Sequence, residues 1–279
     1  MPTPADSPAE RDDTSVPLTR RALLDGAVAA EPAAAASAPR RERVRESTRT
    51  WLDGSRTARR WDTELLGWTA LCLGAAVIAS VLLRTTVPGA AGTVLAGAAL
   101  WIGMAVPTAL AFRRGRPRGL LAFRTMDVVY ALVLGIALRT VQGWLDLAAG
   151  GGTFPSYALG DGASTGVLWL TAVAGPVLLS PVIEEFLFHG VVLVAVYRIA
   201  RRGLDGALLA IVASTAAFVA MHAITGGMTS WEQPVTWTLV GAALGTLVIL
   251  TGRIWGAVLT HLVFNLSAAL LALVGTALA

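Results

Sequence analysis

Long apolar runs alternate with short polar links through most of the chain. They fall at about 65–83, 91–112, 127–148, 166–200, 206–224, 236–251 and 255–277. Most approach the roughly 20 residues that a helix needs to cross a bilayer. The pattern predicts an all-α polytopic transmembrane helix bundle of seven spans, or eight if the longest run is divided. That run, 166–200, would measure about 52 Å as a straight helix against a hydrocarbon core of roughly 30 Å. Pro176 and Pro181 are the expected kink points, because each removes a backbone donor and crowds the preceding turn. Splitting the run would move Arg198, Arg201 and Arg202 to the opposite side from the other arginine-rich links, so one long, bent element is expected.

Residues 1–62 carry no comparable run. They are rich in Ala, Pro, Ser, Arg and Asp, with too little apolar surface to offset chain entropy. The expectation is a disordered cytoplasmic tail over 1–62 and a transmembrane domain over 63–279. The stretch from Thr19 to Ala30 is similar to a twin-arginine export signal, but Asp25 and Glu31 interrupt its apolar part.

Composition narrows the class further. With 55% hydrophobic and 14% charged residues, the chain does not fit a water-soluble domain. All 22 basic residues are arginines. They crowd before the first run and between alternate runs, at Arg113, Arg114, Arg116, Arg118 and Arg124, at Arg198, Arg201 and Arg202, and at Arg253. The positive-inside rule then predicts an inner (cytoplasmic) cell membrane protein with a cytoplasmic amino terminus. No basic face with interleaved aromatics points to nucleic acid. Trp51, Trp61 and Trp255 fall, with most other tryptophans, near the ends of runs, as in an aromatic belt. Cys72 is the single cysteine, which excludes an internal disulfide and a thiolate metal cluster.

Against this apolar background a few polar residues stand out. Glu184 and Glu185 are adjacent acids inside the longest run, where a carboxylate is costly to bury. His222 lies in the fifth run, and His261 and Asn265 lie one helical turn apart in the seventh. Counted from Arg198, Asp205 and Arg253 respectively, Glu184, His222 and Asn265 sit about 21, 26 and 18 Å deep at helical rise. Three separate helices thus bring polar groups to overlapping depths.

These residues form three ordered elements: Glu184-Glu185 followed by His189, Phe218 followed by His222, and His261 followed by Asn265. In order and spacing they resemble the signature of the CPBP intramembrane proteases, also called ABI or CAAX prenyl endopeptidase-like proteins, which reads EExxxR, FxxxH and HxxxN. The resemblance covers roughly 127–279. One position departs: His189 stands where the family has arginine. As an imidazole one turn after Glu185 it is expected to pair with that carboxylate, and Arg139 in the third run is expected to supply the missing cation.

The resemblance implies an intramembrane endopeptidase acting on a membrane-associated peptide or protein. Glu184 and His222 would hold and activate water, His261 and Asn265 would form an oxyanion hole, and Glu185, His189, Arg139 and Phe218 would support them. Family members are described both as metalloproteases and as metal-independent glutamate proteases. The residues here favour no metal, because no His pair at i, i+4 makes a zincin helix and His261 is paired with a non-ligating Asn; a divalent metal such as zinc is the alternative.

Plainer readings exist for each residue. Intramembrane acids also mark ion pairs and proton pathways, a lone histidine is ordinarily a bonded core residue, and a lone Asn in lipid ordinarily bonds a neighbouring helix. Two further functions therefore stand beside the protease: a non-catalytic membrane scaffold or regulator, and a proton-coupled transporter.

Overall fold

The computed structural model of the protein describes residues 50–151, 155–157, 166 and 169–278. Seven helices in it are long and apolar enough to cross a membrane. They are α1 (Thr63–Thr86), α2 (Gly89–Arg114), α3 (Thr125–Ala148), α4 (Val173–Ile199), α5 (Gly203–Gly226), α6 (Glu232–Thr251) and α7 (Trp255–Leu278). No strand occurs among the described residues. Each helix overlays one of the apolar runs, and the longest run stays a single element.

α4 is the centre of the bundle. In its most apolar window 61% of residues are buried inside the protein, against 11% for α3. Lipid must cover the large apolar side chains that the outer helices leave uncovered, such as Ile78, Val133 and Leu250. Small residues bring the helices together: a Cβ on Gly135 of α3 would stand only 2.7 Å from Cγ1 of Val263 on α7.

The bend expected at the two prolines takes the form of altered helical winding. The element is π-helical over Trp169–Leu179, α-helical over Ser180–Glu185, π-helical again over Phe186–Val192 and α-helical over Leu193–Ile199. Pro176 lies inside the first π stretch and Pro181 in the first turn of the α segment that follows. Wider winding relieves the clash of a proline ring with the turn behind it. The second π stretch contains no proline, and nothing in the sequence announced it.

Local chemistry fixes the helix ends. Asp62 caps α1 by accepting from the Leu65 amide at 3.1 Å. Asp127, fully buried, accepts from the Arg124 amide at 2.8 Å and so caps α3. The same carboxylate meets Nη2 of Arg253, in the α6–α7 link, at 2.7 Å. Gly252 closes α6 in the left-handed region, at φ 69°.

Residues 50–62, expected within the tail, instead pack on the helices, while residues 1–49 lie outside those described. Trp51 and Trp61 are buried in the core and belong to no interfacial belt. Each indole N–H finds a carbonyl at a helix end: Trp51 donates to Gly252 at 2.8 Å, and Trp61 donates to Ala111 at 3.0 Å. Ala111 lies in the last turn of α2 and Gly252 caps α6, where the carbonyls are open to a second donor such as a buried indole.

Alternation along seven spans puts Arg56, Arg59, Arg113, Arg116, Arg198, Arg202 and Arg253 on one face and Arg84 on the other.

Candidate active site

Four helices meet around a cavity of about 170 Å³. Ser180 and Glu184 come from α4, Phe218 and His222 from α5, Trp237 from α6, and His261 and Asn265 from α7. The polar residues that sequence depth brought together are therefore neighbours in space. Glu184 is at its wall, with 7% of its side chain exposed, while His222 is more open at 26%.

Glu184 Oε2 and His222 Nε2 lie 3.7 Å apart. Nδ1 of His222 is 3.0 Å from the Phe218 carbonyl. A carbonyl only accepts, so Nδ1 carries the hydrogen, and in the neutral ring Nε2 is left as an acceptor. The other Glu184 oxygen accepts a short hydrogen bond from the Ser180 hydroxyl. Trp237 and Phe218 flank the His222 ring, with centroids at 5.5 and 4.3 Å.

The adjacent acid belongs to a different compartment. Glu185 is fully buried, and its Oε1 lies 2.8 Å from Nδ1 of His261. Its Oε2 faces Nε2 of His189 at 4.0 Å, too far for a hydrogen bond, and neither atom has another hydrogen-bond partner. Nδ1 of His189 lies 3.4 Å from the Ser214 hydroxyl. Gly245 on α6 makes room for that ring, since a Cβ there would stand 3.3 Å from Nδ1.

Asn265 donates to the Pro176 carbonyl at 2.8 Å. In a π pattern that carbonyl would receive its hydrogen from the residue five places on, Pro181, which has none to give. The Asn265 amide supplies it from the neighbouring helix. Arg139 does not reach either acid. Its Nε donates to Ser267 at 3.1 Å, its Nη2 donates to the Phe264 carbonyl at 2.5 Å, and its guanidinium lies over the Phe264 ring at 4.0 Å. The expected replacement of the family's arginine by Arg139 therefore fails, because α3 packs on the outer side of α7 and points the side chain away from Glu185. Arg139 instead lines a larger cavity of about 770 Å³, walled also by Asp146, Tyr157, Pro176 and Asn265. Pro176 and Asn265 border both cavities.

Sequence reasoning missed Ser180, Trp237 and Ser214. Ser180 was within reach of it, lying one turn before Glu184 on the same helix face. Trp237 and Ser214 depend on how α6 and α5 are rotated, which local spacing does not specify.

Catalytic zinc takes three protein ligands. Glu184 faces His222 while Glu185 lies between His261 and His189, and among the described residues no three His, Cys, Asp or Glu side chains are grouped so that they could hold a metal ion. The arrangement does not fit that metal.

No curated protein and no solved structure matches the chain. A family model does match, over a stretch that begins after α3 and contains all three motif elements. Residues 166–267 match the model for type II CAAX prenyl endopeptidase Rce1-like proteins, so this stretch of a multi-pass membrane protein is similar to a protease family.

Proposed function

We propose that the protein is an intramembrane endopeptidase that hydrolyses a peptide bond in a membrane-associated peptide or protein. The observation that carries this reading is the 3.7 Å gap between Glu184 Oε2 and His222 Nε2 at the wall of a cavity inside the bundle. An ionised carboxylate and a ring nitrogen bearing a lone pair are both acceptors and do not bond each other. One water bridges them by donating a hydrogen to each, which aims its own lone pair outward.

In the reaction, Glu184 takes a proton as that water attacks the carbonyl carbon of the scissile bond. The resulting tetrahedral oxyanion needs hydrogen-bond donors, and two lie on α7. Asn265 uses one amide hydrogen on Pro176 and keeps a second. His261 shares its Nδ1 hydrogen bond with Glu185. Nε2 of His261 donates when the ring is an imidazolium, whose charge the buried Glu185 carboxylate balances through Nδ1. Glu184 then returns its proton to the leaving amine, the C–N bond breaks, and acid and amine products separate. The 770 Å³ cavity adjoining Asn265 offers space for the substrate chain.

The arginine-bearing face is taken as cytoplasmic, in a cell membrane, by the positive-inside rule. The test is a membrane-proteome and peptide-cleavage comparison of wild type with Glu184→Ala at equal expression. Cleaved peptides present only with wild type are expected; identical cleavage patterns would remove the proposal. A non-catalytic regulator draws support from His189 standing at the motif's arginine position. It predicts partner capture that Glu184→Ala leaves intact and no peptide cleavage by wild type.

A further inference from the structure

Pro176 of α4 is a wall common to three cavities. It borders the pocket of Glu184 and His222, the 770 Å³ cavity on the α3 and α7 side, and a further cavity of about 230 Å³ on the α2 side. The last of these runs inward from Arg84, in the last turn of α1, past Val94 and Gly97 of α2 to Trp101 and Ser180. Ser180 belongs to two of the three. Its hydroxyl donates to the Glu184 carboxylate in the catalytic pocket and accepts from Nε1 of Trp101, in the wall of the α2 cavity, at 3.5 Å. The catalytic pocket therefore adjoins one cavity through Pro176 and Asn265 and the other through Pro176 and Ser180, on different flanks of α4.

A scissile bond held at Glu184 has chain on both of its sides, and both need room. In an extended chain successive side chains point to opposite faces, so the two residues that share the bond are directed to different flanks. We infer that the cavity between α2 and α4 is a second substrate subsite, which takes an apolar side chain on one side of the scissile bond while the 770 Å³ cavity takes the chain on the other side. This assignment rests on the endopeptidase reading above and adds to it a source of selectivity. Val94, Leu100 and Trp101 in its wall favour an apolar occupant. Its volume, less than a third of its neighbour's, sets the narrower limit on size. Hydrolysis leaves the acid and amine fragments in different cavities, so neither has to pass the other to depart.

Two glycines allow the subsites to be narrowed one at a time. Gly97 lines the α2 cavity and Gly143 of α3 lines the larger one, and a Cβ on either meets no atom of the described residues within 4 Å. A leucine at either position thus enters its cavity without displacing a packed neighbour.

The test uses the full chain purified in detergent and a library of synthetic apolar peptides varied on both sides of a central bond, with cleavage sites and rates read by mass spectrometry. Gly97→Leu is expected to lower cleavage of peptides with a bulky residue on one side of the bond about tenfold relative to peptides with Ala there, the discrimination that a methylene's worth of space gives in an apolar pocket. Gly143→Leu should act on the residue at the other side. Gly74→Leu, at an exposed position of α1 where a Cβ likewise meets no described atom, should shift neither preference. Val94→Ala enlarges the α2 cavity and should move the preference toward larger residues at the position that Gly97→Leu affects; it decides the matter if Gly97→Leu does not fold. Wild-type cleavage whose preferences Gly97→Leu and Val94→Ala both leave in place overturns the subsite alone, as does a Gly97→Leu shift on the same side of the bond as the Gly143→Leu shift, or one that Gly74→Leu reproduces. No cleavage of any peptide by wild type overturns the endopeptidase reading and the subsite with it.

Discussion

Glu184 and Glu185 are joined by one peptide bond yet occupy two regions with opposite character. Around Glu184 the structure leaves a cavity, a 3.7 Å gap to His222 and a wall that is not wholly covered. Around Glu185 it leaves none, since the carboxylate and His189 have no exposed surface and the His261 ring stands between Glu185 and the cavity. Successive residues on a helix point about 100° apart, so a pair of acids on α4 addresses two compartments at once. On the proposed mechanism the difference separates chemistry from support: an acid that must handle a proton needs water, whereas an acid that must hold a ring needs its exclusion.

The sharpest way to break the comparison is at Glu184 itself. Glu184→Gln keeps the shape and removes the base, so peptide cleavage should fall about a thousandfold, roughly 4 kcal/mol in barrier, with little change in Tm. A large loss of Tm would mean that the acid is structural. Glu185→Ala should act in reverse, lowering stability by about 3 kcal/mol because two buried imidazoles lose their partner. Denaturation in detergent reads this, and an unaltered midpoint would erase the distinction between the two compartments.

Asn265→Ala acts on the Glu184 side, where Asn265 lines the cavity and holds the Pro176 carbonyl. It removes an oxyanion donor, expected to cost about a hundredfold in kcat, and strands the Pro176 carbonyl, seen as a smaller drop in Tm. His189→Arg writes the family residue back into the motif. With Gly245 against the ring and no exposed surface at that site, overpacking should lower stability by about 2 kcal/mol; a more stable variant would show that the sealed compartment has room to adapt. Ser180→Ala should have the smallest effect, a loss of about 1 kcal/mol in transition-state stabilisation through a less firmly held Glu184, measured as kcat against KM.

The spans and the depth of the polar residues were legible because bilayer thickness imposes one length scale on every helix. Glu184, His222, His261 and Asn265 could be placed together from distances along the chain alone. Which side chain faces which could not be read in the same way. Glu185 meets His261 and not Arg139 because of how α7 is rotated between α3 and α4, a property of packing that residue spacing does not encode. Trp51 and Trp61 were misplaced for a related reason: an indole near a span boundary suits an interface, but here carbonyls at helix ends offered buried partners. The second π stretch, over Phe186–Val192, has no proline to signal it.

The larger cavity carries a consequence for sidedness. Its lining includes Pro155 and Tyr157, which follow the third span and so lie at the end of the bundle away from the arginines. A polypeptide anchored in that leaflet meets the entrance directly, whereas one confined to the arginine-bearing leaflet must pass between helices to arrive. A cleavable reporter displayed on one side of sealed vesicles at a time would reveal the direction of entry.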